Sequence, residues 1–89
     1  MHTVHVIIEG KVQGVWFRDY TQRQARHLNL TGWVRNRRDG TVEAVFSGDE
    51  SDVAAMLDWL KLGSPMSRVD RIRTGAAVAE EFSTFEVRS

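Results

Sequence analysis

The sequence predicts an α+β sandwich in which two helices cover one face of an antiparallel sheet, in the chain order β-α-β-β-α-β. Two observations carry this prediction. Apolar residues alternate with polar ones in several short segments, as in half-buried strands. In two longer segments they recur at intervals of three and four, as in amphipathic helices.

The first half of the chain is predicted to form a strand, a loop, a helix and a hairpin. Alternation of Val4, Val6 and Ile8 predicts the first strand, and the change to helical spacing begins at Phe17. Asp39-Gly40 lies between two alternating runs and favours a tight turn, because glycine accepts positive φ. The predicted elements here are a strand at 3–9, a loop at 10–14, a helix from Phe17, and strands at 31–36 and 41–46.

The second half adds a helix and one or two strands. Asp49 or Ser51 is a candidate N-cap, and Gly63 is expected to end the helix. Its buried face is formed by Val53, Met56, Leu57 and Leu60. Strands are predicted at 69–74 and 84–88, which makes a split final strand possible, while 75–83 has no clear pattern. This order is that of the ferredoxin-like fold, which hosts enzymes and binding modules alike.

Composition narrows the function classes. The 89 residues suit one domain, 1–89, of ordinary globular composition. Cysteine is absent, the start of the chain does not match a signal peptide, and no apolar run approaches a membrane span, so we expect a cytoplasmic protein without a membrane partner. The net charge is zero, but residues 1–40 carry seven basic against three acidic groups, and residues 41–89 carry five against nine. This asymmetry is compatible either with an anion site in the first half or with attraction between the halves.

The first informative stretch is Gly10-Lys11-Val12-Gln13-Gly14-Val15-Trp16-Phe17-Arg18. A loop with two glycines leads from a strand to a helix N-terminus, where the first N–H groups lack intrahelical acceptors and the helix dipole is positive. Such a place binds phosphate, and Arg18 adds a bidentate charged donor. The Gly-Lys-Ser/Thr ending of a nucleotide-binding loop is absent. The alternative is that both glycines only form the turn and that Arg18 is solvated.

The second stretch runs from Gly32 to Ala44 and contains Asn36 at the end of a predicted strand. The carboxamide of Asn36 offers both donors and an acceptor, which suits orientation of a water molecule. The alternative is an ordinary turn residue, a frequent role of asparagine. On its own, this stretch favours the alternative.

Together the two stretches resemble the paired signatures of the acylphosphatase family, Gly-x-Val-Gln-Gly-Val-x-Phe-Arg and Gly-Trp-Val-x-Asn-x-x-Asp-Gly-x-Val-Glu-Ala. Every fixed position of both is present, and the resemblance covers nearly the whole chain. Asn29 stands where the family usually has glycine, and Ser64 stands where it often has proline. Asn29 tolerates the left-handed conformation, so we expect little effect.

The resemblance implies the same fold and the hydrolysis of a small acyl phosphate to a carboxylate and inorganic phosphate. It implies that Arg18 binds the phosphate and that Asn36 positions the attacking water. It also implies a cradle of backbone amides from Gln13, Gly14, Val15, Trp16, Phe17 and Arg18. We expect no metal, no other cofactor and no covalent phosphoenzyme, and a monomer suffices.

The alternative function is a non-catalytic phosphate- or nucleic-acid-binding module on the same fold. RNA-recognition domains usually carry aromatic side chains on their central strands, and the predicted strands at 3–9 and 41–46 lack them on the face expected to be exposed. We therefore expect no nucleic-acid partner. The basic cluster Arg35, Arg37 and Arg38 is either a solvated surface or a means of attracting anionic substrates.

Overall fold

The computed structural model describes residues 1–77 and 80–88. Within them, the predicted order β-α-β-β-α-β is confirmed, with the final strand split into two. The elements are β1 (His2–Lys11), α1 (Phe17–His27), β2 (Thr31–Asn36), β3 (Val42–Gly48), α2 (Glu50–Leu62), β4 (Arg68–Ala76) and β5 (Phe85–Arg88). Of the stretch without a clear pattern, Gly75 and Ala76 extend β4, and residues 78–79 lie outside the described residues.

The sheet has the strand order β4-β1-β3-β2-β5. The four strands from β4 to β2 pair antiparallel, as predicted. The fifth strand departs from the prediction, because β5 pairs parallel with β2 and the complete sheet is therefore mixed. Strands β4 and β5 run in opposite directions, and β5 lies at the edge far from β4, parallel to β2.

Both helices lie on one face of this sheet. Helix α1 packs on β2 and β5, and α2 packs on β4, β1 and β3. Helix α1 buries Phe17, Thr21 and Ala25, one residue per turn, in agreement with the predicted helical spacing. Neither helix of the described part has the length and apolar character needed to cross a membrane.

The core lies between the helices and the covered face of the sheet. Strands β1 and β3 contribute alternate residues, so that Val4, Val6 and Ile8 point inward as predicted. The rings of Phe46 on β3 and Phe85 on β5 stack with 5.3 Å between centroids, and both are fully buried. This stack attaches β5, which forms one side of the cavity described below, to the centre of the core.

The ends of the helices follow the sequence signals in part. Gly63 ends α2 with a φ of 66°, as expected for a glycine after a helix. Asp49 occupies the N-cap position, but its side chain makes no capping hydrogen bond. Asn29 has a φ of 57°, which confirms that asparagine takes the left-handed conformation after α1.

Candidate active site

A cavity of about 540 Å³ opens where the β1–α1 loop (residues 12–16) meets the end of β2 and the strand β5. It brings together the two residues singled out by the separate sequence motifs, Arg18 and Asn36. Its other lining residues include Gly14, Trp16, Phe17 and Val87. The side chains proposed for anion binding and for water orientation therefore share one space.

The β1–α1 loop has a backbone suited to binding an anion. Gly14 and Trp16 both have positive φ, 74° and 63°, so the loop curls tightly before the helix. The first helical hydrogen bond runs from the N–H of Tyr20 to the carbonyl of Trp16 at 3.0 Å. Within the described residues, the backbone N–H groups of residues 13–19 donate to no loop or side-chain acceptor. Such a run of unpaired amides at a helix N-terminus is a ready anion site.

Arg18 lies in the first turn of α1 and is partly exposed. Its Nη1 donates a hydrogen bond to the carbonyl oxygen of Arg88 on β5 at 3.2 Å. In the described part of the chain no carboxylate pairs with Arg18. A neutral carbonyl thus orients the guanidinium and leaves its positive charge available to an anion.

Asn36 is the last residue of β2, paired with Val42 on β3. Alternation places its side chain on the same face of the sheet as Val34, which is the face that the helices cover. The Oδ1 atom of Asn36 is buried and accepts no hydrogen bond from the described residues. An unpaired buried acceptor costs about 1–3 kcal/mol, so a bound water or ligand that donates to it is favoured.

Gln13 connects the β1–α1 loop to the hairpin that follows Asn36. Its Nε2 donates to the carbonyl oxygens of Arg37 at 2.7 Å and Thr41 at 2.9 Å. The side chain of Gln13 therefore fixes the position of the hairpin relative to the loop. Because Asn36 directly precedes this hairpin, the two bonds also help to set its position relative to Arg18.

Asp39 forms the hairpin turn, as the sequence predicted. Its Oδ1 accepts hydrogen bonds from the N–H of Thr41 at 3.0 Å and from the hydroxyl of the same residue at 2.6 Å. These bonds, together with the nearby charge of Arg37, hold the pKa of Asp39 below its ordinary value. An ionised, hydrogen-bonded turn residue of this kind is a poor general base.

Two of the six residues predicted to cradle the anion do not line the cavity, namely Gln13 and Val15. Val15 is buried, and its carbonyl oxygen accepts a hydrogen bond from the hydroxyl of Ser64 at 2.7 Å. Any contribution of these two residues to anion binding would come from their backbone N–H groups. Ser64 itself is 2% exposed, and its hydrogen bond to Val15 fixes the position of the loop.

Sequence reasoning missed several residues around the site. Gln22 lines the cavity, and its spacing of four from Arg18 on one helix was a signal that could have indicated this. Val87 also lines it, but only the pairing of β5 with β2 brings that residue there. Ser64 gave no local signal, because its partner Val15 is remote in sequence.

The basic cluster lies beside the main cavity, around a second cavity of about 430 Å³ lined by Arg35, Asn36, Arg37, Arg38 and Asp39. Arg35 is paired with Glu43 at 2.6 Å, and Arg37 with Asp39 at 3.8 Å. Attraction of anionic substrates by this cluster stays a prediction. Across residues 1–77 and 80–88, no three potential metal-ligating side chains converge.

Comparison with known proteins assigns the chain to a family. The acylphosphatase family model matches residues 4–87. The chain belongs to the acylphosphatase family. An acylphosphatase of Thiobacillus denitrificans is 49% identical over 89 residues, which cover all of this chain and 99% of that one. The family match includes both motifs and every element that lines the cavity.

Solved structures agree with this assignment. The crystal structure of acylphosphatase from Bacillus subtilis is similar over the full length of both chains, with a TM-score of 0.97 and 36% identity. HypF of T. kodakarensis contains a similar region with a TM-score of 0.88 and 33% identity, in which this chain covers only 12% of the larger protein. The family fold thus occurs both in chains of this length and as a small part of a longer one.

Proposed function

We propose that this protein is an acyl-phosphate hydrolase in which Arg18 and the loop amides bind the phosphate while Asn36 orients the attacking water. The observation that carries the proposal is the shared cavity, which is lined by both Arg18 and Asn36. Among the described residues the Arg18 guanidinium has no carboxylate partner, the N–H groups of the β1–α1 loop have no loop or side-chain acceptor, and the buried Oδ1 of Asn36 has no donor. The acylphosphatase names of relatives that match along their full length support it.

The arrangement suits a reaction that needs alignment more than a strong base. The phosphate sits on the positive helix end, where the amides and Arg18 donate to its oxygens. The Oδ1 of Asn36 accepts a hydrogen bond from the water. This bond orients the water so that a lone pair of the water oxygen points at phosphorus. The P–O bond to the carboxyl group breaks and releases a carboxylate, a good leaving group, so positioning and charge stabilisation account for most of the catalysis. The proton of the water passes to a phosphate oxygen.

The rival function is a binding module without catalysis. In an RNA binder, the uncovered face of β1 and β3 would carry stacking rings. Within the described residues, that face carries no Phe, Tyr or Trp on either strand; its members are Thr3, His5, Ile7, Glu9, Glu43, Val45 and Ser47. This composition favours the enzyme over the nucleic-acid binder.

Turnover of benzoyl phosphate separates an enzyme from a phosphate-binding module. For Asn36→Ala we expect kcat to fall by about 100-fold or more, because the water loses its acceptor. For Arg18→Ala we expect the KM, and the inhibition constant of inorganic phosphate, to rise about 10- to 100-fold, as for loss of a charged hydrogen bond. Circular dichroism checks that both variants are folded.

Arg71→Ala is the matched control, because Arg71 is an exposed arginine on β4 and is absent from the cavity. It should leave both constants unchanged. We also expect inorganic phosphate to inhibit competitively. Binding of phosphate without any turnover would contradict the hydrolase and favour the module, and an unchanged kcat in Asn36→Ala would refute the role of that residue.

We further infer that residues 1–89 act as one monomeric domain in the cytoplasm. One sheet holds all the described strands, and one core receives residues from both helices, which supports a single folding unit. The location, the monomeric state and the independence from metals and other cofactors stay predictions. Gel filtration would test the monomeric state, and activity in the presence of a chelator would test the independence from metals.

A further inference from the structure

Part of the cavity lining is apolar and has no role in binding the phosphate. Trp16 lines it and is 73% exposed, and Val87 lines it from the opposite element and is 41% exposed. A volume of about 540 Å³ lies in the range of about 300–1,000 Å³ that is typical of sites for whole small molecules. Exposed apolar surface inside such a site is free to contact the part of the substrate beyond the phosphate.

We propose that Trp16 and Val87 form a seat for the acyl group and that this protein prefers acyl phosphates with aromatic or other apolar acyl groups. The inference rests on the proposed function and specifies its substrate class. Both side chains line the same cavity as Arg18. Trp16 is two residues before it in the loop, and Val87 directly precedes Arg88, whose carbonyl holds the guanidinium.

The position of Val87 also suits an acyl group attacked near Asn36. Val87 is paired with Val34 in the parallel register of β2 and β5, on the face of the sheet that carries Asn36. Residues two apart on a strand are separated by about 7 Å. A phosphate held by Arg18 next to the carboxamide therefore leaves its acyl substituent within reach of Val87.

The backbone of Trp16 supports a role for its ring. Trp16 has left-handed φ and ψ of 63° and 18°, a conformation that is unfavourable for a bulky residue. Residues in such conformations cluster at active sites and ligand clamps. Here the conformation curls the loop for the amides and leaves the indole at the rim of the same cavity, where burial against an apolar group is favourable.

Charge argues against a second anionic group on the acyl part. Among the described residues that line the cavity, Arg18 is the only base, and the proposed function assigns it to the phosphate. The acidic lining residue, Asp19, is paired with Arg23 at 3.1 Å. The described lining therefore offers no second free cation for the acyl group, and its apolar side chains are what distinguish one acyl group from another.

The test is the ratio of KM for acetyl phosphate to KM for benzoyl phosphate. In the native protein we expect a ratio well above one. Trp16→Ala should lower this ratio about three- to tenfold, the worth of one aromatic contact, and Trp16→Phe should recover most of it. Val87→Ala should lower it by less. Leu62→Ala removes an apolar side chain that is 77% exposed but lies outside the cavity, and it should leave the ratio unchanged.

A binding measurement gives a readout independent of turnover. Calorimetry with benzylphosphonate and methylphosphonate should show tighter binding of the benzyl compound, and Trp16→Ala should remove most of that difference. Hydrolysis of both acyl phosphates with a ratio that Trp16→Ala does not change would overturn the acyl seat and leave the proposed function intact. Hydrolysis of neither compound would overturn the proposed function, and equal binding of the two phosphonates would overturn the seat by itself.

Discussion

At the scale of single residues, the proposed mechanism depends on the distance between Arg18 and Asn36, which belong to different elements. Gln13 is the side chain that ties these elements together, through two hydrogen bonds to backbone carbonyls beyond Asn36. Each bond uses the carboxamide as a donor. The presence of glutamine rather than glutamate in this motif follows from that geometry, because a carboxylate has no proton to donate.

We therefore expect Gln13→Glu to be more harmful than Gln13→Met. The carboxylate would face two carbonyl oxygens and push the hairpin away, whereas methionine of similar length only removes the bonds. A shift of about 1 Å at the site costs on the order of 100-fold in rate, so kcat should fall about 10- to 100-fold in Gln13→Glu and less in Gln13→Met. Steady-state kinetics on both variants checks this, and an equal effect of the two changes would contradict it.

Glu43 lies on the uncovered face of the sheet between two basic side chains. His5 Nε2 is 2.7 Å from its Oε2, and Arg35 Nε donates to its Oε1 at 2.6 Å. Burial raises the pKa of Glu43, but the hydrogen bonds from His5 and Arg35 outweigh burial and lower it below the ordinary 4.5. The charged form is thus favoured by folding.

A lowered pKa in the folded state means that ionised Glu43 adds stability above pH 4.5, and that this contribution is lost as the pH falls through the lower folded value. The difference in unfolding free energy between the native protein and Glu43→Gln should shrink on acidification below about pH 4.5. Urea unfolding at a series of pH values measures it. If this difference in unfolding free energy grew toward acid pH, the pKa of Glu43 would be raised by folding and not lowered.

At the scale of elements, the shape of the β1–α1 loop depends on the connection between α2 and β4. Ser64, in that connection, donates to the carbonyl of Val15, and Ser67 donates to the carbonyl of Ser64 at 2.7 Å. The first bond reaches the loop, and the second stays within the connection. Comparing substitutions of the two serines therefore distinguishes the stability of the connection from its support of the proposed anion site.

For Ser64→Ala we expect a loss of about 1–2 kcal/mol of unfolding free energy and a several-fold rise in the inhibition constant of inorganic phosphate. The reason is that the Val15 carbonyl loses its partner and the loop amides lose their fixed orientation. Ser67→Ala is the control, with a similar or smaller loss of stability and unchanged phosphate inhibition. If the inhibition constant of inorganic phosphate were the same in both variants, the idea that Ser64 supports the loop would be refuted.

At the scale of the whole molecule, the site is tied to the core through β5. Phe85 stacks on Phe46 in the centre of the sheet, and three residues later the carbonyl of Arg88 holds Arg18. Loss of packing at Phe85 should therefore loosen one side of the cavity. The same loss elsewhere in the core should only lower stability.

We expect Phe85→Leu to lower the unfolding free energy by about 1–2 kcal/mol and to weaken phosphate inhibition as well. Val53→Ala, at a buried position of α2 away from the cavity, should cost about 1–3 kcal/mol without changing phosphate inhibition. Denaturant unfolding and inhibition measured on the same samples compare the two. Unchanged inhibition by inorganic phosphate in Phe85→Leu would show that the packing of Phe85 does not affect the cavity.

The sequence by itself determined the number and order of the main elements and the two motifs of the site. Alternation and helical spacing report which side of a segment is buried, and Gly63 and Asp39-Gly40 mark where segments end. The curled loop before α1 was predictable for the same reason, because a glycine-containing turn and the helix that follows it are local features; its binding of an anion stays a prediction. Arg18 and Asn36 were identified by residue type and by the resemblance to a family.

Only the tertiary structure decided what surrounds those two residues. Local periodicity does not say which strand becomes the neighbour of another; the structure pairs β5 parallel with β2 and stacks Phe85 on Phe46 of β3. That pairing brings Val87 and the carbonyl of Arg88 to the cavity. Contacts between residues far apart in the chain depend on how the whole core packs, so no short stretch of sequence contains them.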